Sequence, residues 1–294
     1  MTEPVRTADD RPGFADRLAA AMDQHGPLAV GIDPHPGLLH AWGLADDVAG
    51  LRGFALGVVH ALGGRVAALK PQSALFERHG SAGIGVLEEV IFAARESGTL
   101  VVVDAKRGDV GSTMTGYADA YLRDGSPLAG DAVTLSPYLG FGSLAPAVDA
   151  AVASGRGVFV LALTSNPEGA GVQHAVDAAG TPVAVTIARA AAQVNAQNLG
   201  ECGLGPVGLV VGATVGGAPA RLGLDLAAVR GPLLAPGVGA QGAGAAELAQ
   251  VFGTARRAVL ASASRSVLAA GPDPQALVEA AALAASQARA ALRP

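Results

Sequence analysis

The sequence predicts an α/β fold, a single (β/α)8 TIM barrel. Three observations carry that reading. Eight short apolar runs recur along the 294 residues, each ended by glycine, proline or a polar residue. The runs are continuously apolar rather than alternating, as strands buried on both faces of a parallel sheet must be. Stretches with helical periodicity separate them, and about 250 residues is the usual size of one α/β barrel. A doubly wound sheet is the alternative that alternating strands and helices allow. Eight units in one chain, with no linker or change of composition between them, favour the barrel.

The predicted strands are residues 28–32, 66–69, 100–103, 132–135, 158–163, 208–211, 233–235 and 258–261. A first helix over 14–25 places Phe14, Leu18, Ala21 and Met22 on one stripe. Further helices are expected over 47–62, 83–97, 112–123, 143–153, 182–199, 222–229 and 242–252, with an alanine-rich helix over 275–292 closing the chain. Residues 1–12 read as a flexible leader and 13–294 as the catalytic barrel. Aromatic residues make up 4% of the chain against 50% hydrophobic, so the core must be aliphatic.

Composition also narrows the function. The formal net charge of −5 argues against a general nucleic-acid binder. No apolar leader segment and no charge-free apolar run of membrane-spanning length is present, so a cytoplasmic protein without a membrane partner is expected. One cysteine, Cys202, cannot form a disulfide within the chain. The six histidines are scattered without metal-ligand spacing, so no metal site is expected. Trp42 reads as a packing residue, and Ser165 lacks the context of a nucleophile.

In a barrel, chemistry belongs at the C-terminal ends of the strands. There the sequence places Asp33, Lys70, Asp104-Ala-Lys106-Arg-Gly-Asp109, Ser165, Pro236 and Arg265. Of the 20 basic residues only Lys70 and Lys106 are lysine; the other 18 are arginine. A chain that uses arginine wherever a generic cation suffices has kept lysine at two strand ends. An ammonium can give up a proton, which guanidinium practically cannot. Alternation at the third strand end predicts that Asp104 and Lys106 point together into the barrel mouth. The stretch Gly237–Gly242 matches a dinucleotide fingerprint in form only: it follows the seventh strand, and no acidic residue lies about 20 positions on. Its backbone N–H groups, with Arg265 one strand later, suit a phosphate instead.

Together these motifs resemble the orotidine 5′-phosphate decarboxylase family, in its bacterial subgroup with extended loops. The resemblance runs from about Ala29 to Leu268 and rests on Gly-Ile-Asp33-Pro, Leu-Lys70-Pro, Asp104-Ala-Lys106-Arg-Gly-Asp109-Val-Gly-Ser-Thr113, Thr-Ser165-Asn-Pro, Pro236-Gly-Val-Gly-Ala-Gln241-Gly and Ser-Arg265-Ser. It implies cofactor-free conversion of orotidine 5′-phosphate to UMP, with Lys106 protonating C6 and Asp104 beside the departing carboxylate. It implies Lys70 and Asp33 at the ribose hydroxyls, Ser165 at the pyrimidine, Gln241 and Arg265 at the phosphate, and Pro236 lining the pocket. It further implies a homodimer with shared active sites, Asp109 and Thr113 reaching into the neighbouring subunit. Ser264, where the family pattern expects glycine, is a departure that would crowd the phosphate. The stretch 168–205 is longer than a minimal barrel unit.

Three rivals follow from the same residues. A Mg2+-dependent sugar-phosphate lyase of the same superfamily would need a further carboxylate where the second strand ends in Lys70. A non-catalytic phosphate-binding barrel has no use for two lysines retained among arginines. A Schiff-base aldolase would place its lysine in an apolar pocket rather than between two aspartates.

Overall fold

The computed structural model describes residues 11–238 and 243–293. Eight parallel strands close into a barrel in sequence order: β1 (Leu28–Ile32), β2 (Ala68–Pro71), β3 (Leu100–Arg107), β4 (Ala132–Leu135), β5 (Gly157–Leu163), β6 (Val207–Val211), β7 (Leu233–Pro236) and β8 (Val259–Ala263). β8 pairs back onto β1, with Ala29 opposite Ser262. The barrel reading therefore holds and the doubly wound alternative fails.

Side chains alternate along each strand, which splits the core in two. Ala29, Ala68, Leu100, Val102, Ala132, Phe159, Val210, Leu234 and Leu260 point into the barrel. Val30, Leu69, Val101, Val103, Val133, Val160, Leu209 and Ala261 face the surrounding helices. Both layers are aliphatic, as the composition requires. The first helix, Phe14–His25, forms where expected and stops the N-terminal opening of the barrel with Phe14, Leu18 and Met22. Phe14 meets Phe159 edge-on at 5.8 Å between ring centroids. A Cβ at residue 157 would lie 2.1 Å from the Phe14 ring, so only glycine leaves room for this plug.

Several elements differ from the sequence reading. β3 runs four residues further, to Arg107, because it carries a bulge near its end. β2 sits two residues later than predicted, its apolar run being led by Val66 and Ala67, which are buried outside the ladder. The helix expected over 222–229 is corrected to Ala218–Leu222. Gly223 in the left-handed region ends it, and the Asp225 carboxylate then accepts from the Ala227 and Ala228 N–H groups, holding a turn instead. The last helix, Pro274–Leu292, begins at an Asp273 cap that accepts from Ala276 N–H at 2.8 Å. Trp42 packs as expected, 4.3 Å from the Phe54 ring centroid, with its indole N–H on Leu268 O. Residues 1–10 of the expected leader lie outside the described residues; Arg11 donates to Ser154 O. Among the described residues no helix is long and apolar enough to cross a membrane.

Candidate active site

A cavity of about 1150 Å3 opens at the C-terminal end of the barrel. Its floor follows from strand alternation. The inward positions that carry Ala68, Val102, Ala132, Phe159, Leu234 and Leu260 lower down carry Lys70, Asp104, Thr134, Leu161, Pro236 and Ser262 two residues later. A layer of apolar side chains is thus replaced, one step up, by a layer holding four polar or charged groups and a proline. Asp33, Ser165, Gly237, Val238 and Arg265 continue the wall from the loops above.

At the centre Asp104 lies between two ammoniums. Lys70 Nζ donates to its Oδ2 at 3.0 Å and Lys106 Nζ to its Oδ1 at 2.5 Å. Lys70 and Asp104 are buried, whereas the Lys106 side chain is 44% exposed and faces the open cavity. Burial alone would push the Asp104 carboxyl up; Lys70 and Lys106 outweigh it and hold the group far below the ordinary carboxylate range. Burial would likewise lower Lys70, but Asp104 and Asp33 reverse the sign and raise it. Asp104 and Lys70 therefore stay charged at neutral pH, with both lysines placed around the one carboxylate. Asp33 Oδ1 is buried with no hydrogen-bond partner among the described residues.

The structure brings together Lys70, Asp104, Lys106, Asp33, Ser165, Pro236 and Arg265 on this one cavity. It leaves two predicted residues off it. Asp109 is half-buried, its carboxylate accepting from Val110 N–H at 2.8 Å, and Thr113 is exposed on the helix Gly111–Leu122. Gln241 lies outside the described residues. The shared direction of Asp104 and Lys106 holds, but not through plain alternation: Lys106 has φ +48°, uncommon for any residue but glycine. Arg107 anchors the bend from outside, donating to Glu77 and lying 5.7 Å over both the Tyr117 and Tyr121 rings.

Two doubtful features of the sequence resolve. The Ser264 side chain lies over Gly31, where a Cβ would come within 2.0 Å of its hydroxyl, so the strand makes room for it. The long stretch after β5 turns back toward the mouth. Gln173 Oε1 accepts from Thr164 N–H at 2.8 Å and its amide donates to the Thr164 hydroxyl at 2.7 Å, fixing the residue before Ser165. Sequence reasoning missed Thr134, Gln72, His35 and Ser262, all on the cavity. For Thr134 the available signal was a hydroxyl at an inward position of an otherwise apolar strand end.

Comparison with known proteins agrees with this geometry. The model of the "Orotidine 5′-phosphate decarboxylase / HUMPS family" matches residues 27–281. The chain belongs to this family. An orotidine 5′-phosphate decarboxylase of Salinispora arenicola is 60% identical over 279 residues, covering 95% of this chain and 98% of the relative. That of Streptomyces coelicolor is 58% identical over 264 residues, covering 90% and 92%. A crystal structure from Streptomyces avermitilis superposes with TM-score 0.92 at 55% identity, covering 99% of this chain and all of that one. Leishmania donovani OMP decarboxylase superposes with TM-score 0.69 at 30% identity over 91% of this chain and 94% of that one.

Proposed function

We propose that the chain decarboxylates orotidine 5′-phosphate to UMP, using side chains alone. The observation that carries the reading is the Lys70–Asp104–Lys106 array on the cavity floor. Loss of CO2 from C6 leaves an electron pair in the plane of the ring, where the π system cannot take it up. The C6–carboxylate bond breaks, its electrons remain on C6, and a proton passes from Lys106 Nζ to C6. A cation that is also an acid serves both needs at one position. Asp104 cannot relieve its charge by protonation, so it repels a substrate carboxylate placed beside it. Two like charges at about 4 Å and an effective dielectric near 20 repel by roughly 4 kcal/mol. Rate enhancements reach about 23 kcal/mol and beyond, so most of the barrier reduction must come from elsewhere. Binding of the phosphate, expressed as closure over the ring, is the available source.

Asp33 and Lys70 hold the ribose hydroxyls in this reading, and the unpartnered Asp33 oxygen is an acceptor waiting for such a donor. Ser165 contacts the pyrimidine, Pro236 lines the space the carboxylate leaves, and Arg265 holds the phosphate with the Gly-rich loop and Gln241. Asp109 and Thr113, off the cavity of their own subunit, complete the site of a second subunit in a homodimer. Support comes from the loops after β3 and β4, which meet where Gly108 packs on Ser136 and expose Val110, Tyr138 and Leu139. The sugar-phosphate lyase rival needs carboxylates free for Mg2+, whereas both Asp104 oxygens already receive lysine protons. The test is ultraviolet absorbance of orotidine 5′-phosphate on addition of the protein. Conversion to UMP is expected, and an unchanged spectrum with active-site-saturating protein contradicts the proposal.

A further inference from the structure

Lys106 sits on a flexible four-carbon stem at a bulge, a poor place for a group that must meet one carbon atom. Between Val103, opposite Val133, and Arg107, opposite Leu135, β3 has three residues where β4 has one, Thr134. The ladder therefore offers the Lys106 N–H no backbone acceptor. The Thr134 hydroxyl takes that place, accepting from Lys106 N at 2.9 Å, and it also lies 2.9 Å from Asp104 Oδ1. The direction of both bonds is forced. A backbone N–H can only donate and an ionised carboxylate can only accept, so the single hydroxyl proton points to Asp104. Asp104 Oδ1 is the same atom that receives the Lys106 ammonium. The four groups close a ring: Lys106 N–H, the Thr134 hydroxyl, the Asp104 carboxylate and the Lys106 Nζ.

We infer that Thr134 is a positioning residue for the decarboxylation, clamping Lys106 at its root and, through Asp104, at its tip. The inference rests on the function proposed above and deepens it. Thr134 is buried at an inward position where valine would fill the same space, so its hydroxyl is present for hydrogen bonding rather than volume. Without it the left-handed Lys106 backbone has no partner on β4, and the ammonium swings on its stem. A displacement of about 1 Å from the reacting atom is enough to lower a rate roughly 100-fold.

The experiment is steady-state decarboxylation by wild type, Thr134→Val, Thr134→Ala and Thr134→Ser, with UMP affinity measured on each. Thr134→Val and Thr134→Ala are expected to lose about 100-fold in kcat, with KM and UMP affinity within about threefold of wild type, because the other substrate contacts lie on other strands. Thr134→Ser, which restores the hydroxyl, is expected within about fivefold of wild type. A purely structural role would not separate serine from alanine. Should the valine variant not fold, the serine–alanine pair carries the same contrast. The inference is overturned if Thr134→Val keeps kcat within threefold, if serine is as impaired as alanine, or if KM and UMP affinity collapse together with kcat. A wild type that does not decarboxylate overturns the proposed function and this inference together; an active wild type with an unaffected Thr134→Val overturns this inference alone.

Discussion

Both ends of the barrel hold ion pairs, and they are built to opposite ends. At the N-terminal end the Asp131 carboxylate accepts from Arg17 and, at 2.9 Å, from Val101 N–H. Nearby Arg156, almost fully buried, divides its donors between Gly130 O at 2.9 Å, Leu122 O at 3.1 Å and Asp124 at 2.5 Å. These groups face strand ends and helix ends of the same chain, under the Phe14 plug. At the C-terminal end two lysines share one carboxylate, one of them opens onto a cavity, and an Asp33 oxygen is left over. The first arrangement uses arginine, a fixed fork suited to several acceptors at once; the second uses lysine, which can lose a proton. The N-terminal groups are turned onto backbone carbonyls and one another, whereas the C-terminal set lines an open cavity in which a ligand can sit.

The sharpest way to break this contrast is Lys106→Ala. It should lower kcat by three or more orders of magnitude while UMP still binds, and Lys106→Arg should not restore it, since arginine is too weak an acid. Kinetics paired with UMP titration checks this; a variant within tenfold of wild type removes the proton donor from the account. Arg265→Ala should come next, lowering kcat/KM about 100-fold or more, and orotidine without its phosphate should be an equally poor substrate of wild type. Equal turnover of nucleoside and nucleotide would remove the phosphate role.

Asp131→Ala should act in the opposite sense, lowering unfolding free energy by about 2–4 kcal/mol while leaving kcat per folded molecule unchanged. Denaturant melts and kinetics on one preparation separate the two effects. Mixing Lys106→Ala with Asp109→Ala tests the shared site. With random exchange half the dimers are mixed and each has one intact site, so activity should return to roughly a quarter of wild type. Exchange confirmed by mass without any return of activity places Asp109 in its own subunit's site.

The smallest effect is on acid stability. Asp104 has a folded-state pKa below its unfolded value near 3.9. Its contribution is therefore present above that value and lost as pH falls through the folded one. Lys106→Ala removes one of the two cations that depress it, so the acid loss of stability should begin at higher pH than in wild type. Unfolding followed by circular dichroism between about pH 5 and pH 2 reads this window, and coincident curves would contradict the coupling.

Much of the site was legible because a strand's period of two is local. Once the barrel is granted, Lys70 and Asp104 fall on the inner face, above Ala68 and Val102. The scarcity of lysine then singles out Lys106 without any structure. What escaped depends on contacts distant in sequence. Nothing in Asp-Ala-Lys-Arg-Gly-Asp announces that Lys106 is left-handed; the bulge is set by pairing with β4. Thr134 looks like an ordinary β-branched strand residue until that pairing is known. Gln173 acts on Thr164 only after its segment folds back. The helix expected over 222–229 failed for a local reason instead, since apolar spacing was allowed to outweigh Gly223 and Asp225.

The measurement closest to the central claim is decarboxylation of orotidine 5′-phosphate by the wild-type protein in excess EDTA, followed by ultraviolet absorbance. With both oxygens of Asp104 bonded to lysines and Lys106 as the acid, the rate should match that without chelator. Activity that disappears in EDTA and returns with Mg2+ would contradict the account and move the chemistry to a metal.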